Sequence, residues 1–210
     1  HGLMDPDARI VESTARNLAM EIPGYSGPQR SALAKYLIDS LGDKKISPKS
    51  EAGILRVLTG LHDAKAEEIY WARLLPPKSA EIRATALHGL AEATPTTDKR
   101  LQALLTCAAE RDFQIVAGAL MILKKLPVNA KNSKHWVQLL DAPDVAARRF
   151  AVEKLHGVES NEVAQAMAAQ LRHVDRTLRE EALKSLRAYP AGHAALLDEI
   201  LAAADAERAD

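Results

Sequence analysis

The chain has 210 residues, with 28 Lys+Arg balanced by 28 Asp+Glu, and a formal charge of zero argues against a dedicated binder of nucleic acid or anionic membrane. The single cysteine, Cys107, excludes an internal disulfide and any multi-cysteine metal site. With 38 Ala and 28 Leu against 20 Val plus Ile and 8 aromatics, the alphabet is that of a helix former, and an all-β fold is excluded.

Along the chain one phrase recurs: a Ser or Asp, an apolar residue at +3, a small residue at +7 and Leu at +11. Asp7 leads to Ile10, Thr14 and Leu18. After the Pro23–Pro28 loop a helix is expected over about 28–41. Ser47 then leads to Ser50, Ile54 and Leu58, followed by a helix near 64–75 and the Pro76-Pro77 turn. Ser79 leads to Ile82, Ala86 and Leu90, followed by a helix near 98–109. Asp112 leads to Ile115, Ala119 and Leu123, with a helix near 133–141 behind it. Asp144 leads to Ala147, Ala151 and Leu155, with a helix near 161–173. Asp175 leads to Leu178, Ala182 and Leu186, with a helix near 191–203, and Asp205 stands where a seventh copy begins.

The intervals between these anchors are 40, 32, 33, 32, 31 and 30 residues. The +3/+7/+11 spacing puts three residues on one helical face. Ser and Asp are the residue types that cap a helix N-terminus. Small residues at +7 allow a neighbouring helix to come close. Gly53, Gly60, Gly89 and Gly118 fall in or near expected helices, where they weaken a helix or mark such close contacts. A unit of two short helices cannot bury its apolar stripe alone, whereas stacked units bury a continuous core. The expected fold is all-α: an α-α superhelix of about six helix pairs, without β-sheet, in one array over residues 1–210. The array is also expected to be a piece of a longer protein. Asp7 would open the second helix of a pair whose first lies upstream, and Asp205 one that stops five residues later. Leu196, Leu197, Ile200 and Leu201, with Val11 and Leu18 at the start, would leave open ends prone to self-association.

The run from Asp175 to Leu186, D-R-T-L-R-E-E-A-L-K-S-L, resembles the short bacterial HEAT-like repeat, D-x-x-(V/I)-R-x-x-A-x-x-x-L. Asp144 to Leu155 is a second copy, with Ala147 at the apolar position. The resemblance covers nearly the whole chain and is clearest after residue 79. It implies a HEAT-like solenoid in which the motif's Asp and Arg link neighbouring repeats. Those positions are Asp144 with Arg148 and Asp175 with Arg179; Ser79 with Arg83 keeps only the Arg. Val11 and Val116 stand at the Arg position after Asp7 and Asp112, so any polar ladder is interrupted there.

None of the seven histidines, His1, His62, His88, His135, His156, His173 and His193, forms a metal-ligand motif, and there is no His-Glu dipeptide of the kind HEAT-like hydroxylases use for iron. Nucleophile-elbow, P-loop and dinucleotide fingerprints are absent. Trp71 and Trp136 lie on the first helices of their pairs. HEAT-like DNA glycosylases use the concave face, which the resemblance assigns to the second helices. Cys107 is expected to be a buried small residue. The longest clearly apolar run, Ile115 to Leu123, is too short to cross a bilayer.

One stretch is electrostatically distinct. From Phe113 to Leu140, 28 residues hold no acid but contain Lys124, Lys125, Lys131, Lys134 and His135. With Arg149 nearby, these lysines are either a solvated turn or a patch for an acidic partner segment, a phosphate or an anionic lipid. The function expected is a non-enzymatic scaffold, without catalytic, cofactor or metal site, that holds a protein or peptide on an extended surface. The alternative class is an enzyme or accessory on the same frame, DNA-glycosylase-like or chromophore-lyase-like.

Overall fold

The computed structural model describes residues 2–43 and 46–207. Twelve α-helices and four short 3-10 segments, with no strand, make up the regular structure of the described residues. Contacts divide the chain into two compact units, His1–Leu104 and Leu105–Asp210.

The first unit is built around α3 (Pro48–Leu61), which is buried on most of its circumference. Helices α1 (Ala8–Glu21), α2 (Gly27–Ser40), α4 (Ala64–Trp71) and α5 (Ala80–Gly89) all pack on it, and α4 also packs on α5. Ile54, Leu55 and Leu58 of α3 meet a core that includes Leu37, Tyr70, Leu74, Ile82, Leu87 and Leu90. The glycines permit the close approaches. A Cβ on Gly53 would stand 3.0 Å from Val11, and one on Gly89 would stand 2.6 Å from the Tyr70 ring. Helix α6 (Asp98–Ala108) begins in this unit and ends in the next.

The second unit continues with α7 (Phe113–Leu123), α8 (Ser133–Val137), α9 (Val145–Leu155), α10 (Asn161–Ala169), α11 (Arg176–Leu186) and α12 (Pro190–Glu207). Helix α9 packs on α7 and α11, while α10 packs on α8, α11 and α12. Ile115, Leu123, Trp136, Leu139, Leu155, Met167, Leu178 and Leu186 are buried here.

Every anchor from Asp7 to Asp175 is the N-cap of a helix. Asp7 accepts from the Arg9 amide at 2.8 Å, Ser47 from Ser50 at 3.0 Å, and Ser79 from Ile82 at 3.4 Å. Asp112, Asp144 and Asp175 accept from Gln114, Ala146 and Leu178 at 2.9, 2.8 and 3.2 Å. Each satisfies amide groups that a helix start leaves without a partner. From Ser47 to Asp175, every +3, +7 and +11 residue is buried.

Four expectations change. In α1 the buried face is Val11 and Ala15, one residue on from Ile10 and Thr14, and Ile10 is exposed. The reason is the partner: Val11 and Ala15 face Gly53 of α3. The helices expected at 64–75, 133–141 and 161–173 have shorter α-helical parts, ending at Trp71, Val137 and Ala169. The last two continue as 3-10 turns, Gln138–Asp141 and Gln170–Arg172. Helix α12 runs through 205 instead of ending before it. No Gly or Pro interrupts residues 193–204, and Ala202 to Ala204 favour continued helix. Finally, the motif arginines bond to the turn that precedes their own helix. Arg83 donates through Nε to the Leu74 carbonyl at 2.6 Å. Arg179 donates to the carbonyls of His173 and Val174 at 2.7 and 3.0 Å, and Arg148 to those of Ala142 and Pro143. Each arginine thus closes the turn in front of its own helix. Where Val116 replaces it, apolar packing with Ala142 and Ala147 stands in its place.

Links between successive helices of like position run through other cations, in one case to the motif's Asp175. Lys49 pairs with Glu81 at 2.6 Å, and Arg149 with Asp175 at 2.7 Å. Arg100 pairs with Glu68, and Arg172 with Glu199.

Candidate groove and basic turn

In the second unit, α7, α9 and α11 together line a groove of about 610 Å³. Its apolar wall is Leu120 of α7 with Val145, Phe150 and Val152 of α9. Its polar wall includes Arg149, Glu153, His156, Glu181 and Lys184. On α7, Phe113, Ala117, Leu120, Met121 and Lys124 share one side of the helix, because residues three, four, seven and eight apart lie together. Phe113 is 75% exposed and Met121 63%. Burying one such side chain contributes about 2 kcal/mol, so two large apolar groups in water on one helix form a patch that the core does not use.

The lysines picked out by the acid-free stretch sit beyond the end of this helix. Lys124 and Lys125 follow α7 directly, Lys131 is in the turn and Lys134 is in α8; all four are exposed. Among the described residues, Lys124, Lys131 and Lys134 have no carboxylate partner. Arg149 differs. It lines the groove, and its guanidinium holds the Asp175 carboxylate at 2.7 and 3.1 Å. It therefore belongs to the α9–α11 side rather than to the lysine cluster.

A sixth cation, not singled out by the sequence, joins the two regions. Lys154 of α9 donates to the carbonyls of Lys124 and Leu126, at 2.7 and 2.8 Å, across the C-terminal end of α7. Its ammonium lies 5.9 Å from the ring centres of both Trp136 and Phe150. Carbonyls at a helix C-terminus carry partial negative charge and suit a cation. Burial pushes the Lys154 ammonium below the usual lysine value; the Glu153 charge opposes this and the Lys124 charge adds to it. The half-buried lysine fixes the turn that presents Lys124 and Lys125. Its sequence signal was only a lysine late in a helix, because its carbonyl partners come from 28 and 30 residues away.

In the first unit a cavity of about 410 Å³ gathers His62, Asp63, Glu67, Tyr70, His88 and Glu92. Several of these side chains hold the fold. Asp63 caps α4 through the Lys65 amide, Glu67 accepts from Trp71 Nε1 at 3.0 Å, and the Tyr70 hydroxyl meets Thr59 at 3.2 Å. His62 ends α3 with a left-handed backbone, φ 52°. Arg100 lies over the Trp71 ring at 5.1 Å, and Trp136 is fully buried, so both tryptophans are packed into helix contacts. Cys107 is buried as well. Among the described residues, no group of three His, Cys, Asp or Glu side chains converges to hold a metal ion. Among them, too, no helix is long and apolar enough to cross a membrane.

The chain matches no protein-family model and no curated protein.

Proposed function

We propose that the chain is a HEAT-like α-solenoid that performs no chemistry itself and holds a protein or peptide segment in the groove across α7, α9 and α11. The observation that carries this is the groove itself: about 610 Å³, apolar along Leu120, Val145, Phe150 and Val152, with Phe113 and Met121 exposed on the same side of α7 as Leu120. An apolar surface rimmed by polar residues marks an interaction site. The solenoid reading is supported by the capped anchors at near-constant intervals and by the serial packing of α1 on α3 and α3 on α5, then α7 on α9 and α9 on α11. Repeat proteins present such continuous surfaces to partners.

The test is to fill the groove. Ala146 is exposed, lines the groove and sits in the first turn of α9, where a large side chain leaves the core untouched. Random peptides displayed on phage are selected on the immobilised chain and screened against Ala146→Trp, whose melting temperature is checked against the parent. Enriched clones that lose binding to Ala146→Trp are the expected result. If no clone distinguishes the two proteins, the groove is not a peptide site.

A further inference from the structure

The charges around the groove are unevenly satisfied. On the α11 side they are paired within the fold, Arg149 with Asp175 and Arg176 with Glu180 at 2.7 Å. Lys184 and Glu181 add one charge of each sign to that wall. On the α7 side the balance fails. No acid occurs between Phe113 and Leu140, and Lys124, Lys131 and Lys134 have no carboxylate partner among the described residues. Lys154 is held by the carbonyls of Lys124 and Leu126 at the end of α7. The groove is thus apolar in its floor, carries Glu153 beside the balanced Glu181 and Lys184 on its polar wall, and has the positive lysine turn at the C-terminal end of α7.

Building on the groove proposed above, we infer that its occupant is an acidic amphipathic peptide segment. Its apolar side chains rest on Leu120, Phe150 and the exposed Phe113 and Met121. Its carboxylates lie over the turn that carries Lys124, Lys125, Lys131 and Lys134. A purely anionic ligand, such as a nucleic-acid strand, would use the lysines but leave the apolar floor exposed. A basic or neutral peptide would use the floor but set its charges against the lysines or leave them idle. Only a segment that carries both features satisfies both halves, and complementary potentials across an interface set partner choice and encounter rate. The positive end also gives the segment a direction, with its acidic end toward the α7–α8 turn.

The experiment uses three fluorescent probes on the full chain, read by anisotropy. They are a Leu/Glu peptide with an apolar stripe at helical spacing, the same peptide with Lys for Glu, and a single-stranded oligonucleotide. Each is titrated against the parent, Ala146→Trp, and the combined Lys124→Gln, Lys125→Gln, Lys131→Gln, Lys134→Gln variant. Exposed charge contacts are individually weak, so the four together should weaken the Leu/Glu peptide about ten-fold. Raised salt should weaken the parent to a similar degree and the Gln variant less. Ala146→Trp should abolish binding of this peptide. Tighter binding of the Leu/Lys peptide, or an unchanged affinity in the Gln variant, overturns the acidic occupant while leaving the groove in place. An oligonucleotide that binds more tightly than the Leu/Glu peptide and ignores Ala146→Trp overturns it in favour of an anion site. Failure of every peptide to respond to Ala146→Trp removes the groove reading itself.

Discussion

Arg83 offers the sharpest test of how the turns are held. Its side chain is buried, and Nε donates to the carbonyl of Leu74 at 2.6 Å, in the turn that leads from α4 to α5. Arg83→Met keeps an unbranched apolar stem and removes the guanidinium. A hydrogen bond from a charged donor contributes about 1.5–3 kcal/mol, and a buried carbonyl that loses its donor adds to the cost. A loss of about 3 kcal/mol is therefore expected. The same change at Arg179 should cost less, about 1 kcal/mol, because Arg179 is half-exposed and water can replace it at the His173 and Val174 carbonyls. Each compact unit contains one tryptophan, Trp71 in the first and Trp136 in the second. Urea unfolding followed by fluorescence in a Trp136→Phe background thus reports on the first unit. With a slope of about 1.5 kcal/mol per molar urea, Arg83→Met should lower the midpoint by roughly 2 M. A midpoint within about 0.3 M of the parent would refute the view that the arginine closes the turn.

Ala119→Asp should be among the most damaging single changes, on the order of 4 kcal/mol, because it puts an unpaired carboxylate where the parent residue is fully buried; thermal melts against Met121→Asp, on the exposed side of the same helix, check it. Gly89→Ala should lower the melting temperature although alanine favours helix, since its Cβ would enter the Tyr70 ring; the Tyr70→Leu background should relieve the loss. The Asp175 carboxyl is held below the usual carboxylate range, first by the Leu178 amide and then by Arg149. A depressed folded value means that this stabilisation is present above the unfolded value, about 3.9, and is lost as pH falls through the lower folded value. Asp175→Asn should therefore flatten the acid limb of a stability–pH profile, and an unchanged limb would show that the cap is not linked to it.

The local half of this fold was legible because it is written in local chemistry. A cap residue and the face that follows it lie within eleven positions, so Asp112 with Ile115, Ala119 and Leu123 can be read as one helix start and one buried stripe. The buried side of α1 was not legible, since Ile10 and Val11 are equally apolar and only the position of Gly53 on α3 chooses between them. The same holds for Lys154, whose partners are backbone carbonyls that any sequence would supply. The arginines were visible as a repeated residue type. Their targets were not, because a bond back to the preceding turn and a bond to the next helix look alike in one dimension. The lysine turn was visible from missing acids, but its continuity with an apolar groove depends on α7 and α9 lying side by side.

That division bears on function. In a stacked helical array most exposed positions are free to vary, so an exposed Phe on a helix start needs a reason beyond the fold. Position +1 after the anchor is Ala80 in α5, Phe113 in α7, Val145 in α9 and Arg176 in α11. The aromatic occurs where the next turn is basic, and the series becomes charged only where Arg176 finds Glu180. Apolar surface therefore coincides on α7 and its turn with Lys124, Lys131 and Lys134, which have no carboxylate partner among the described residues, while on α11 Arg176 is paired with Glu180. Replacing Phe113 by Ser should leave the melting temperature unchanged, because the side chain is exposed, and should weaken any groove-dependent peptide several-fold, since about 1 kcal/mol of apolar contact is lost on binding. A drop in stability without a loss of binding would mean that Phe113 serves the fold, and the link between the groove and the basic turn would then rest on Leu120 and Lys154 alone.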